Sequence, residues 1–187
     1  MVQYGGSLDD IYACIDVYWH GEEQDNPPGS YTNVIKLLYR AEAKDPAQWD
    51  NFTTSEWLHY SQWSAWHKDP AAAACGKDKD KEAVAVIMTG RRWNMDNFQF
   101  HLQAGTVMEG MARFYKPEYY AFIQDCYNLA YKAAANDQER VRALLSLGHT
   151  YRNQGDKATA IEYHKRVLAI DPANKPAQNY ISQLENN

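Results

Sequence analysis

At 187 residues, 45% of them hydrophobic, the chain has the length of one ordinary domain and the composition of a globular protein rather than a disordered one. A formal net charge of -5 argues against nucleic acid as the main partner. Cys14, Cys75 and Cys126 are widely spaced, with no CxxC or Cys/His ligand spacing, and no run of about 20 apolar residues is present, which argues against a zinc site, a disulfide framework and a membrane span.

The charge is uneven. Up to residue 60 ten acidic residues stand against three basic ones, and the remainder holds fourteen against sixteen. The start, MVQYGGSLDDIY, lacks the basic and apolar regions of a signal peptide. The cytoplasm is therefore the expected compartment, with the periplasm the alternative should a leader have been removed.

Residues 7–19 open with Ser7 and two acids, a helix N-cap with charge that favours the helix dipole. Leu8, Ile11, Cys14 or Ile15, and Tyr18 then form an apolar stripe. Residues 21–30 are a polar loop. A helix pattern resumes over 31–44 through Val34, Ile35, Leu38 and Ala41, and Asp45-Pro46 ends it. The next helix, 50–67, has Thr53 and Glu56 in capping-box spacing and aromatic residues at Trp57, Tyr60, Trp63 and Trp66. This aromatic stripe is expected to pack in a core, with an exposed partner-binding patch as the alternative. After it come alanines able to continue a helix and an alternating Lys/Asp run expected in solvent. A further helix spans 81–93, with Ala83-Val84 and Ile87 on one face and Asn94-Met95 after it.

Residues 98–114 read as a helix with Ala104-Gly105 and Met108 on its inner face. The extra residues of this stretch are expected to lengthen both helices around Phe114 to Pro117, with Pro117 in a first turn. Cys126-Tyr127, Ala130 and Ala133 fill the stripe of the following helix, and Asp137 closes it. From Val141 the pattern is clearest. Leu144, Leu147, Gly148 and Tyr151 share one helical face. Gly155 suits a left-handed helix end and Asp156 a cap. Ala160, Ile161, His164, Val167 and Leu168 line a second face, which Asp171-Pro172 terminates. Residues 173–185 are a last helix, with Ala177, Tyr180 or Ile181, and Leu184 inward and Gln178, Ser182, Gln183 and Glu185 toward water.

The stretch 141–174 resembles one tetratricopeptide repeat: Leu147-Gly148, Tyr151, Gly155-Asp156, Ala160-Ile161 and Asp171-Pro172 stand where that family has them. Gly148 and Ala160 are small enough for two helices to cross closely. More broadly the chain is similar to bacterial tetratricopeptide proteins with irregular N-terminal units. The resemblance implies an all-α, right-handed solenoid of antiparallel helical hairpins in one domain, 1–187. Its repeat-like units would be 7–46, 50–95, 98–137 and 141–172, with a capping helix at 173–185.

No catalytic constellation accompanies this pattern. His59, Trp63 and His67 share a helical face, but eight residues separate the histidines by about 12 Å. HExxH, GxSxG, P-loop and GxGxxG motifs are absent, and adjacent acids such as Asp9-Asp10 point to different sides of a helix. Cys126 and His164 read as packing residues. The chain is read as a non-enzyme without cofactor or metal.

The resemblance implies instead a concave face, lined by the first helix of each hairpin, that takes a peptide or helix of a protein partner. The candidates are Gln99, Gln103, Thr106 and Glu109; then Arg142, Leu145, Ser146, His149, Arg152 and Asn153; and Lys175, Gln178 and Asn179 on the cap. Arg, Asn and Gln carry donors suited to a peptide backbone or carboxylate. The lysine and asparagine set with which one subgroup clamps chaperone tails is not matched, because Leu145 and His149 stand where it begins. Self-assembly through the aromatic N-terminal units is the alternative reading.

Overall fold

The computed structural model describes residues 6–22, 31–70, 76–114 and 116–185; most of the expected polar loop, the alanine run with Cys75, and Tyr115 lie outside them. Among the described residues there are nine α-helices and no strand: α1 Leu8–Glu22, α2 Thr32–Lys44, α3 Trp49–Lys68, α4 Lys79–Gly90, α5 Phe98–Phe114, α6 Tyr120–Ala133, α7 Asp137–Gln154, α8 Lys157–Ile170 and α9 Lys175–Glu185. Among them, no helix is long and apolar enough to cross a membrane.

The chain divides into two compact units, Met1–Asn94 and Met95–Asn187. In the first, α1 packs on α2, α2 on α3, and α3 on α4. Ile11, Leu37 and Ala41 form one cluster, with Leu8, Cys14 and Tyr18 against it. Tyr31, Val34, Ile35, Leu38 and Leu58 form another. In the second unit α5 packs on α6, α7 on α8, α6 on α7 and α8 on α9. Leu144, Val167 and Ala177 are central to its C-terminal cluster, and Leu145 packs half-buried against it. Leu145 therefore belongs to the packing surface and not to the polar face on which the sequence placed it.

Local chemistry accounts for the helix ends. Ser7 and Asp10 cap α1 reciprocally: the Ser7 amide donates to Asp10 Oδ2 at 2.8 Å and the Asp10 amide donates to Ser7 Oγ at 3.2 Å. Asp156 accepts the Thr159 amide at 3.0 Å at the start of α8. Gly155, at φ 92°, closes α7 in the left-handed region. The two Asp-Pro stops are alike in detail. Asp45 and Asp171 have φ, ψ of -136°, 83° and -127°, 87°, and each side chain accepts the amide two residues on, at 3.2 Å. The first hairpin thus ends as the last one does. Asn94, in the corresponding place after α4, donates its side-chain amide to Gly90 O and Pro46 O.

Three expectations are corrected. Thr53 and Glu56 form no capping box: α3 starts at Trp49, Thr53 Oγ1 donates to Asp50 O, and both side chains are buried. The Lys/Asp run is not wholly solvated, since Asp80 is buried in the first turn of α4 while Lys81 stays exposed. The extra residues of the third hairpin do not lengthen both helices. α6 is 14 residues long, as α8 is, and the additions lie at the C-terminal end of α5, in the connection with the 3-10 turn Pro117–Tyr119, and at the N-terminal end of α7. Of the aromatic stripe on α3, Trp63 is core at 1% exposure, Tyr60 and Trp66 are half-buried, and Trp57 is 42% exposed.

Candidate functional site

Small residues set the spacing at which the second unit's helices cross. A Cβ on Gly148 would lie 2.8 Å from the His164 ring, and one on Gly105 would lie 2.5 Å from Tyr127. Each glycine lets the bulky residue of the paired helix reach across its own. The Tyr127 hydroxyl thereby arrives beneath α5, where it donates to Glu109 Oε2 at 3.3 Å and stands 3.5 Å from Thr106 Oγ1. From α7, Asn153 donates to Glu109 Oε1 at 3.2 Å. Glu109 is thus held from two helices.

Above this carboxylate, α5 and α7 leave an open cavity of about 300 Å³ lined by Thr106, Glu109, Gly110, Arg113, His149, Arg152 and Asn153. Burial raises the Glu109 pKa, against the lowering effect of its hydrogen bonds from Tyr127 and Asn153 and of the Arg113 charge. Burial, and then the Arg152 charge, lower that of His149, which is neutral at pH 7. The Arg152 guanidinium lies over the Tyr180 ring of α9 at 4.7 Å, and His149 meets the same ring edge-on at 4.5 Å. The cap helix therefore fixes two groove residues. His149 Nε2 is buried and has no hydrogen-bond partner.

Thr106, Glu109, His149, Arg152 and Asn153, all candidates from the sequence, meet in this one cavity. The others do not. Gln99 and Gln103 are exposed elsewhere on α5, and Ser146 is half-buried on α7. Arg142 lies over the Phe98 ring at 5.7 Å. Lys175 and Asn179 are exposed on α9, and Gln178 donates its side-chain amide to Pro172 O at 2.9 Å. Gly110 and Arg113 were missed. Their signal was helical spacing, for Arg113 follows Thr106 and Glu109 at seven and four residues.

Donors from two arginines stand beside acceptors on Glu109 and Asn153. This mixture suits a ligand that offers both N–H and C=O groups. Among the described residues no three His, Cys, Asp or Glu side chains are placed to hold a metal ion.

Residues 141–174 match the tetratricopeptide repeat family. No curated protein matches the sequence. Among solved structures the chain is similar to a thermophilic tetratricopeptide-repeat protein of Thermus thermophilus, with a TM-score of 0.57 and 12% identity over 96% of this chain and 91% of that one. At that identity the likeness is one of fold.

Proposed function

We propose that this chain, which carries a tetratricopeptide repeat at 141–174 and has the fold of tetratricopeptide-repeat proteins, binds an extended peptide segment of a partner protein in the groove between α5 and α7. Proteins built from this repeat generally serve as interaction scaffolds rather than catalysts. The observation that carries the finer reading is the meeting of five candidates, on two helices, around one cavity. A peptide backbone supplies both the donors that Glu109 and Asn153 accept and the acceptors that Arg113 and Arg152 address. Acid among the arginines, and the overall charge of -5, disfavour nucleic acid. The expected compartment is the cytoplasm, where thiols such as Cys14 and Cys126 stay reduced.

Removing Arg152 or His149 would also disturb Tyr180, so the cleaner test changes Arg113 and Asn153 to alanine together. A peptide selected from a display library on the parent should bind this variant at least about tenfold more weakly, the loss expected for one or two hydrogen bonds to charged groups. Unchanged affinity, with helical content intact, would sink the assignment.

The second reading, self-assembly, is favoured by Trp57, 42% exposed and stacked on Trp19 at 6.1 Å, and by Val17, 70% exposed. It requires a mass in solution that rises with concentration and that Trp57→Ser lowers to a monomer.

A further inference from the structure

We infer that a trough in the first unit, walled by Tyr39, Glu42, Glu82 and Trp93, seats an arginine side chain of a protein partner. The site is separate from the groove between α5 and α7 and does not depend on it.

The trough consists of two cavities. One, of about 250 Å³, is lined by Tyr39, Glu42, Glu82, Ala85, Val86 and Thr89. The other, of about 270 Å³, shares Tyr39, Glu42 and Thr89 and continues to Phe52 and Trp93. It runs between α2 and α4, the second helices of their hairpins. Two aromatic side chains border it in the open: Tyr39 is 39% exposed and Trp93 63%.

The electrostatics are one-sided. Glu42 and Glu82 line the trough, and no lysine, arginine or histidine lines either cavity. Lys79, one turn earlier on α4, pairs with Glu82. Among the described residues Glu42 has no cation of its own: Oε1 accepts from Ser55 Oγ at 2.6 Å, which leaves Oε2 as its remaining acceptor. Burial pushes its pKa up to about 6, the direction of a carboxylate short of counter-charge. Beneath Tyr39 lies His59, fully buried, with Nε2 2.6 Å from the tyrosine hydroxyl. Its Nδ1 has no hydrogen-bond partner and stands 3.6 Å from Glu82 Oε2. Burial, before any charge, lowers the His59 pKa to about 4, so this ring adds no cation at pH 7.

The wider charge distribution agrees. Residues 1–94 hold fourteen acidic and nine basic residues, whereas 95–187 hold ten of each, so the whole net charge of -5 belongs to the unit that carries the trough. None of the residues outside the described set is Lys or Arg, so those stretches supply no basic side chain to fill it. A group that complements the trough is cationic and has flat faces to lie against Trp93 and Tyr39. A guanidinium meets both demands. It stacks on aromatic rings, and its fan of N–H donors reaches carboxylate and hydroxyl oxygens together, which a lysine ammonium does as a point charge only.

The test uses the full chain and three acetylated, amidated nonapeptides that differ at the central position, Arg, Lys or Glu, within the same Ser/Leu flanks. Binding is read by fluorescence anisotropy of a label on the peptide at low salt. The arginine peptide should bind, and the lysine peptide should bind at least about fivefold more weakly. Trp93→Ala and Glu42→Gln should each weaken the arginine peptide about tenfold. Trp93 is exposed, so its removal opens no core cavity, and Arg113→Ala in the other groove should leave this binding unchanged. Equal binding of the glutamate peptide, or no loss in either variant, overturns the site. Equal binding of the lysine peptide overturns the assignment to arginine. A mass that doubles with concentration in the parent but not in Trp93→Ala overturns the partner in favour of a second copy of the chain.

Discussion

His164 shows how one residue couples packing to pH. It is fully buried, its ring stacked on Tyr180 at 5.0 Å, and neither ring nitrogen has a hydrogen-bond partner. Burial, and then the nearby His149 and Arg152, bring its pKa down from 6.5 to about 4. In the unfolded chain the ring takes a proton as pH falls through 6.5, while in the folded protein it stays neutral until about 4. Stability of the second unit should therefore fall with pH across that window, by no more than about 3 kcal/mol for this group. His149 is shifted in the same direction, and Glu109, whose pKa is raised, opposes it. Denaturant midpoints at pH 7.5 and 5 should differ more for the parent than for His164→Leu. An equal pH response in both proteins would falsify the role given to His164.

At the scale of elements, the crossing of α7 and α8 is tightly constrained. A methyl group on Gly148 would sit 2.8 Å from two His164 ring atoms, and that ring is already pressed against Tyr180. Alanine improves helix propensity by roughly 1 kcal/mol, but overpacking of this kind costs about 1–3 kcal/mol. Gly148→Ala should therefore destabilise the second unit by about 1 kcal/mol net, measured as a lower denaturant midpoint. A gain in stability would mean that the ring yields and that the close approach is not a constraint.

The whole molecule offers a way to watch its two units separately. All six tryptophans, from Trp19 to Trp93, lie in the first unit, so tryptophan emission reports on that unit while circular dichroism reports on helices in both. In repeat proteins stability is a sum of unit terms and nearest-neighbour terms, so a local lesion acts mostly where it is made. Gly148→Ala should lower the midpoint seen by circular dichroism and leave that of tryptophan emission nearly unmoved. Equal shifts in both would mean that the chain unfolds as one cooperative body.

Periodicity, caps and punctuation made the nine helices legible in the sequence, because those signals act within a few residues along the chain. Leu144, Leu147 and Gly148 reveal a helix face by spacing alone, and Ser7, Gly155, Asp45-Pro46 and Asp171-Pro172 reveal ends by the backbone geometry they favour. Five residues of the candidate groove were legible for the same reason, since they lie on the faces of α5 and α7 that the apolar stripes leave free. Tertiary structure decided the rest. Thr53 and Glu56 have capping-box spacing, but burial within α3 removes that role. Arg142, Gln99 and Lys175 are as polar as Arg152, yet only the crossing of helices determines which of them share a cavity. The trough beneath Tyr39 and Trp93 had no sequence signal, because its walls come from positions tens of residues apart that meet only when α2 and α4 are brought together. Local free energy is written residue by residue along the chain, whereas a cavity exists only between elements.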